Sequence, residues 1–436
     1  MTGIGVAEPT SPAPLSAPDA DVLVVGGGPA GLAAAIGLRR LGVERVVVVD
    51  REEQAGGIPR HAAHIGFGMR DMYRLLSGPR YAARYVQLAE DAGAEIRTAT
   101  SVTEWSGSNQ VVLISPAGRA AIAAPAIVLA TGCRERPRTA RLIPGDRPSG
   151  IFTTGALQQF VYLHHQPVGK RAVVVGAEHV SFSAVLTLAH AGMSTVAMIT
   201  EHPRHQTYQP YKWATATRFG VPILTSSRLT RIIGRRRVEA VEVSDVITGA
   251  PRRLECDTVI FSGDWIPDHE LARRGDLVMD SATRAPRVDG ALRTSARGVF
   301  AAGNLLHGAE TADIAALSGR HAARGVHAFL RDGEWPERAP VPILCQAPVQ
   351  WVSPSAIDPA TPPPRGHFIL RVNEFRSHAQ LVVQQGARRL WQRRYRRLIP
   401  TLPIHAAANW IAQVDPTGDA VAFRLNEAGH ASPDSH

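Results

Sequence analysis

Between Asp21 and Asp50 the chain reads as a strand, a glycine turn, a helix and a second strand. The run DVLVVG is short, apolar and β-branched, which suits a strand buried on both faces of a parallel sheet. Pro29 to Leu41 has helical spacing and stops before Gly42, and Arg45 to Asp50 (RVVVVD) is a second buried strand. The whole unit fits within about 30 residues, the size of one βαβ crossover. The same design restarts with RAVVVG at Arg171 to Gly176, followed by a helical pattern to Ala191 and a strand at Ser194 to Thr200. Two such starts in one chain constrain the fold to a pair of nucleotide-type α/β domains. AIVLAT at 126–131 and TVIFS at 258–262 read as strands closing each unit. GVFAAG at 298–303 is a further strand, ahead of a helix over about 311–329.

The first turn, Gly26-Gly27-Gly28-Pro29-Ala30-Gly31, is a G-x-G-x-x-G between a buried strand and a helix, the context that makes this pattern informative. Gly26 permits the tight turn, Gly28 lets a pyrophosphate approach the backbone, and Gly31 lets the helix pack close to the sheet. The helix start offers unpaired N–H groups to the phosphates. Asp50 stands 19 residues after Gly31, where a carboxylate can accept ribose hydroxyls. The second turn, Gly176-Ala177-Glu178-His179-Val180-Ser181, keeps only the first glycine. Glu178 stands where the second glycine belongs, and its bulk and charge oppose a pyrophosphate there. Either this is a nicotinamide site with altered geometry, or the domain has kept its fold and lost its ligand.

The remaining composition narrows the classes. At 436 residues the chain is too long for one ordinary domain. Cys133, Cys256 and Cys345 lie far apart, which excludes a C-x-x-C pair, a four-cysteine zinc site and an iron–sulfur cluster held by this chain alone. No apolar run reaches the length of a membrane span. The formal charge is +10, and all but Lys170 and Lys212 of the 48 basic residues are arginines. They are spread along the chain, as base composition alone would produce, so nucleic acid is not an expected partner. Residues 1–20 read as a disordered tail without signal-peptide features, and with few cysteines a cytoplasmic address follows.

Several separated motifs together resemble the two-dinucleotide-domain flavoproteins of the pyridine nucleotide–disulfide oxidoreductase type. They are the Gly26–Gly31 turn with Asp50, then Gly56-Gly57, Ala130-Thr131-Gly132, and Val299-Phe300-Ala301-Ala302-Gly303-Asn304. The stretch Gly56–Gly68 followed by Gly78-Pro79-Arg80-Tyr81-Ala82 resembles more closely the subfamily accompanying amino-acid, opine, sarcosine and glycerol-3-phosphate dehydrogenases. The resemblance implies FAD as cofactor, while the altered second turn leaves NAD(P) possible but doubtful. It implies FAD contacts at Gly26, Gly28, Pro29, Ala30, Gly31, Asp50, Arg51, Gly56, Gly57, Val102, Thr131, Gly132, Gly303, Asn304, Thr311 and Ala312. The family's last motif normally ends in Asp; Asn304 brings no charge. Relatives often carry a cysteine where Ala62 stands, and the redox cysteine pair is missing, so disulfide reduction is not expected.

The resemblance also places Arg60, His61 and His64 near the flavin, as catalytic candidates. His64 relays a proton or only fixes its loop by a backbone bond. Arg70, Arg74 and Arg80 orient an anionic substrate or line a solvated face. His202 and His205 have metal-like spacing but no third ligand, so no metal is expected. Arg388 to Arg397 (RRLWQRRYRR) reads as a solvated or partner-packed strand pair in preference to a nucleic-acid or membrane surface.

The expected architecture is α/β: two Rossmann-like domains, FAD and NAD(P) type, each in three ββα layers, plus a small β-rich C-terminal unit. The boundaries read as 21–150 and 269–335 for the FAD domain, 151–268 for the inserted domain, 336–366 for a proline-rich linker and 367–436 for the last unit. The expected function is FAD-dependent dehydrogenation of a small amine, amino acid or polyol phosphate. The chain acts as an enzyme or as one subunit beside a second flavin or iron–sulfur subunit. The rivals are a non-catalytic FAD scaffold and an NAD(P)H-dependent flavin reductase.

Overall fold

The structure, a computed structural model, describes residues 19–308 and 310–427. The tail read at 1–20 lies outside them up to position 18, as do positions 428–436 of the last unit. Val22–Val25 forms β1, Pro29–Arg40 forms α1, Val46–Val49 forms β2 and Ala126–Leu129 forms β3. Every residue of these three strands is buried, which is why they carry unbroken apolar runs instead of alternation. They belong to a five-stranded parallel sheet in the order Val299–Ala301, β3, β1, β2, Glu95–Arg97. A three-stranded antiparallel sheet, Ser101–Gly107, Gln110–Ser115 and Gly118–Ala123, packs its apolar face on the same core.

The second start repeats the plan. Arg171–Val175 (β4), helix His179–His190 (α2), Ser194–Ile199 (β5) and Thr258–Phe261 (β6) build another five-stranded parallel sheet, ordered Ile151–Thr153, β6, β4, β5, Ile223–Leu224. A second three-stranded antiparallel sheet covers it. The two chain crossings between the units lie side by side, Cys133–Glu135 pairing antiparallel with Trp265–Pro267. The chain then rejoins the first sheet at Val299–Ala301 and continues into α3, Ala312–Asp332. Helix α3 lies close against α1 because small residues line the contact. A Cβ on Gly319 would fall 1.9 Å from the Ala30 carbonyl oxygen, and one on Gly37 would fall 2.8 Å from the Ala323 Cβ.

The segment 336–366 is not the extended linker its prolines suggested. Val341–Cys345, Val349–Ser353 and Ala356–Ile357 are strands that join the sheets of the last unit. The reason is local: of its prolines only Pro342 sits in a strand, and the others fall in loops, turns and a short 3-10 helix, leaving apolar residues free to pair. The larger sheet runs Ala356–Ile357, Val341–Cys345, Val421–Glu427, then β7 (Arg376–Gln385) and β8 (Arg388–Leu398) at its edge. Phe368, Trp410 and Phe423 fill its core, with the Phe368 and Trp410 rings stacked at 5.5 Å.

Candidate functional site

The first glycine turn divides its labour among three positions. A Cβ on Gly26 would lie 2.4 Å from the Ala130 carbonyl oxygen, and one on Gly31 would lie 1.8 Å from the Gly26 carbonyl oxygen. The fold itself demands glycine at both. Gly28 is different: a Cβ there meets nothing nearer than the Gly57 Cα, at 3.9 Å. The protein alone gives no reason for glycine at that point. Gly28 is also the N-cap of α1 and supplies no side-chain cap, and no acidic residue stands in the first turn. The N–H groups there are left for an anion. Gly57, with φ +63°, faces Gly28 from the other side.

Asp50 closes the far edge of this cradle. Its Oδ2 accepts the Gly27 N–H at 2.8 Å and its Oδ1 the Glu52 N–H at 2.9 Å, leaving further lone pairs on both oxygens. Burial raises its carboxyl above the usual carboxylate range. Arg51 is exposed and paired to Asp268 at 3.4 Å. The Thr100 N–H donates to the Asp50 carbonyl oxygen at 2.8 Å, which brings the strand carrying Val102 beside the cradle.

After Gly57 the chain turns through a short 3-10 helix, Ile58–His61. His61 is 5% exposed, hydrogen-bonds the Gln158 side chain of the inserted unit, and leaves Nδ1 without a partner. Burial lowers its pKa to about 4, so it is neutral at neutral pH. The Arg60 Nε is also buried and unpartnered, while its guanidinium tip donates to the Gln54 carbonyl. The His64 Nδ1 lies 3.0 Å from the Ile65 carbonyl oxygen. A carbonyl only accepts, so Nδ1 carries the proton and Nε2 is left as the acceptor. Burial lowers the His64 pKa, and its ring sits 5.2 Å from that of Phe67. The loop that follows is pinned from below. Asp71 accepts the Tyr81 and Tyr85 hydroxyls at 2.7 and 2.6 Å, and Arg320 of α3 donates to the Asp71 carbonyl at 3.1 Å.

The Gly303 N–H donates to the Ser318 Oγ at 3.1 Å, and a Cβ on Gly303 would lie 2.5 Å from the Ala30 Cβ. Asn304 makes a reciprocal pair with Glu310: its Nδ2 donates to the Glu310 carbonyl and its Oδ1 accepts the Glu310 N–H, both at 3.1 Å. Only an amide can do both, which accounts for Asn at this position. The pair fixes the approach to α3, whose N-cap is Thr311 and whose first residue is Ala312. The Thr131 Oγ1 donates to the Asp268 carbonyl at 2.7 Å, and Gly132 has φ +78° with open space at its Cβ position.

Three features were not foreseen. Arg371 of the last unit reaches the buried Glu310 at 2.8 Å, beside α3's start. Glu135 is buried, accepts the Gly155 N–H at 2.7 Å and the Gly263 N–H at 3.3 Å, and is pushed up to about 7 by desolvation. Glu178 is the N-cap of α2, in a capping box with Ser181. The spacing Glu178-x-x-Ser181 is the one sequence signal that could have announced such a cap; the other two contacts join distant segments. Of the candidate substrate arginines, Arg70 is tied to Asp313 at 3.3 Å, whereas Arg74 and Arg80 are exposed. His202 and His205 pack on Phe375 and Phe182, and no group of metal ligands exists among the described residues.

This is a two-unit dinucleotide fold with one open anion cradle beside a loop that carries His61 and His64, the architecture of an oxidoreductase of the flavin class. The family model for pyridine nucleotide-disulphide oxidoreductases matches residues 20–319, and the chain belongs to that family. FAD is its cofactor. The chain is 32% identical over 396 residues to sarcosine oxidase subunit alpha of Corynebacterium sp. (strain P-1), covering 81% of this chain and 38% of that one. It thus spans less than two fifths of that relative. It is 26% identical over 321 residues to a ferredoxin–NADP reductase of Ignicoccus hospitalis, covering 72% and 99%. The thioredoxin reductase of T. acidophilum shares the fold, with a TM-score of 0.60 at 22% identity over 71% of this chain and 98% of that one. No helix among the described residues is long and apolar enough to cross a membrane.

Proposed function

We propose that this chain is an FAD-dependent dehydrogenase, or the flavin subunit of one, acting on a small amine, amino acid or polyol phosphate. The observation that carries the cofactor site is Gly28, a glycine that the protein's own packing does not require, set at an uncapped helix start. The pyrophosphate of FAD fits that gap. Asp50 would accept ribose hydroxyls, the backbone at Gly303 and Asn304 would border the ribityl chain while the Asn304 amide stays on Glu310, and the N–H groups after Thr311 would stabilise charge on the flavin ring. Bound FAD supplies a hydride acceptor at N5. The protein's share is to hold the substrate, exclude water through the pinned 62–77 loop, and take a proton at the His64 Nε2. A neutral His64 with its Nδ1 proton committed to a carbonyl is set up as a base. Cys133, Cys256 and Cys345 are all free thiols, and burial pushes Cys256 and Cys345 up to about 12. No thiolate relay competes with this route.

The likeness to sarcosine oxidase subunit alpha supports a secondary amine as substrate and a place beside partner subunits. The test is the absorption spectrum of the purified chain, followed by anaerobic addition of sarcosine, proline, other amino acids and glycerol 3-phosphate. The expected outcome is a yellow protein bleached by one of these, with reduction slowed in His64→Gln. A colourless chain that refuses added FAD overturns the proposal. A flavoprotein bleached by none of them, alone or with its partner, favours the scaffold reading.

A further inference from the structure

The family to which the chain belongs uses NAD(P)H, but the residues of the inserted unit do not fit it. In the first unit the position two residues after the leading glycine is Gly28, open and without a side chain. In the second it is Glu178, only 8% exposed. Its carboxylate accepts the Ser181 N–H at the start of α2, while the Ser181 Oγ accepts the Glu178 N–H at 3.2 Å. The Ser262 hydroxyl approaches Oε1 at 3.4 Å. The carboxylate lies so close to Gly263 that a Cβ there would fall 2.4 Å from Oε1. A side-chain-free position thus exists in this unit too, but it makes room for the protein's own carboxylate. Gln206 is laid across the turn, its N–H donating to the Ala177 carbonyl at 2.8 Å. Its own carbonyl accepts the Thr401 hydroxyl at 3.4 Å, a contact from the last unit.

We infer that Glu178 occupies the seat of a dinucleotide pyrophosphate, so that this chain does not take NAD(P)H there and its flavin receives electrons from another donor. The two dinucleotide folds are then used unequally. The first holds a cofactor, and the second is a self-capped scaffold whose face bears His179 stacked on Tyr211 at 4.1 Å. The exclusion is steric: the buried carboxyl takes up both the space and the helix-start N–H that a phosphate would use. The inference rests on the two-site family architecture and not on the identity of the substrate proposed above.

Two experiments test it. Anaerobic mixing of the flavin-loaded chain with NADH or NADPH should leave the flavin oxidised; rapid, saturable bleaching overturns the inference. Calorimetric titration with ADP-ribose should show no site in the flavin-saturated protein and one site per chain, the first cradle, in the apoprotein. Two sites in the apoprotein overturn the inference, and none at all overturns the function reading instead. In Glu178→Ser, which keeps an N-cap oxygen and vacates the seat, ADP-ribose affinity of the flavin-saturated protein should rise by about tenfold or more. A folded, flavin-loaded Glu178→Ser as blind to ADP-ribose as the parent shows that Glu178 is not the obstruction. Should that variant fail to fold, the titrations of the parent chain decide the matter.

Discussion

At the scale of single residues, the three glycines of the first turn make different predictions. Gly31→Ala forces a methyl against the Gly26 carbonyl and should cost about 1–3 kcal/mol of stability, read in denaturant melts. Gly28→Ala adds a methyl that makes only an ordinary contact, 3.9 Å from the Gly57 Cα, and should leave the flavin-free melting temperature almost unchanged while sharply weakening FAD uptake. Equal damage from both would show that Gly28 is structural after all. His61 carries a pH signature. Its pKa falls from 6.5 in the unfolded chain to about 4 in the fold, so the unfolded state binds the extra proton. The stabilisation from keeping it neutral is complete above pH 6.5 and is lost as pH falls towards 4. The span corresponds to about 3 kcal/mol. His61→Phe should flatten that part of the stability–pH curve, whereas an unchanged slope would assign it to other groups.

Among the elements, β8 is an 11-residue edge strand that pairs, within the described residues, only with β7. Arg388, Arg389, Arg393, Arg394, Arg396 and Arg397 are exposed along it, and none forms an ion pair among those found in the described residues. Charges of one sign keep such an edge from pairing with another copy. Arg394→Ile with Arg396→Ile, two positions on one face, should therefore produce concentration-dependent self-association in light scattering. A strictly monodisperse variant with the parent's mass would remove that role. Helix starts show the same contrast between partners from outside and from within. α1 has no side-chain cap, whereas α2 is capped by Glu178, and that difference separates a ligand seat from a closed turn.

Across the whole molecule, the last unit is fastened to the first by buried charges. Arg293 pairs with Asp289 at 2.8 Å and Asp358 at 2.6 Å, and Arg371 pairs with Glu310. Arg371→Ala leaves the Glu310 carboxylate buried without that cation and should cost about 3–5 kcal/mol. It should also weaken FAD binding, because Glu310 is held by Asn304; a flavin off-rate equal to the parent's would uncouple the two. Much of this architecture was legible beforehand. Both βαβ starts, the closing strands and the cradle with Asp50 are local patterns of burial and chain reversal, and short-range sterics and hydrophobic periodicity write them directly into neighbouring residues. Proline content hides the strands inside 336–366, because pairing depends on where each proline falls and not on how many there are. The sequence alone settled that two dinucleotide folds exist and that the second turn is altered. Only the tertiary structure decided what fills it, that Asn304 is spent on Glu310, and that Arg371 lies beside α3. Those contacts join segments far apart in the chain, and which charge meets which helix end is set by packing, not by order along the sequence.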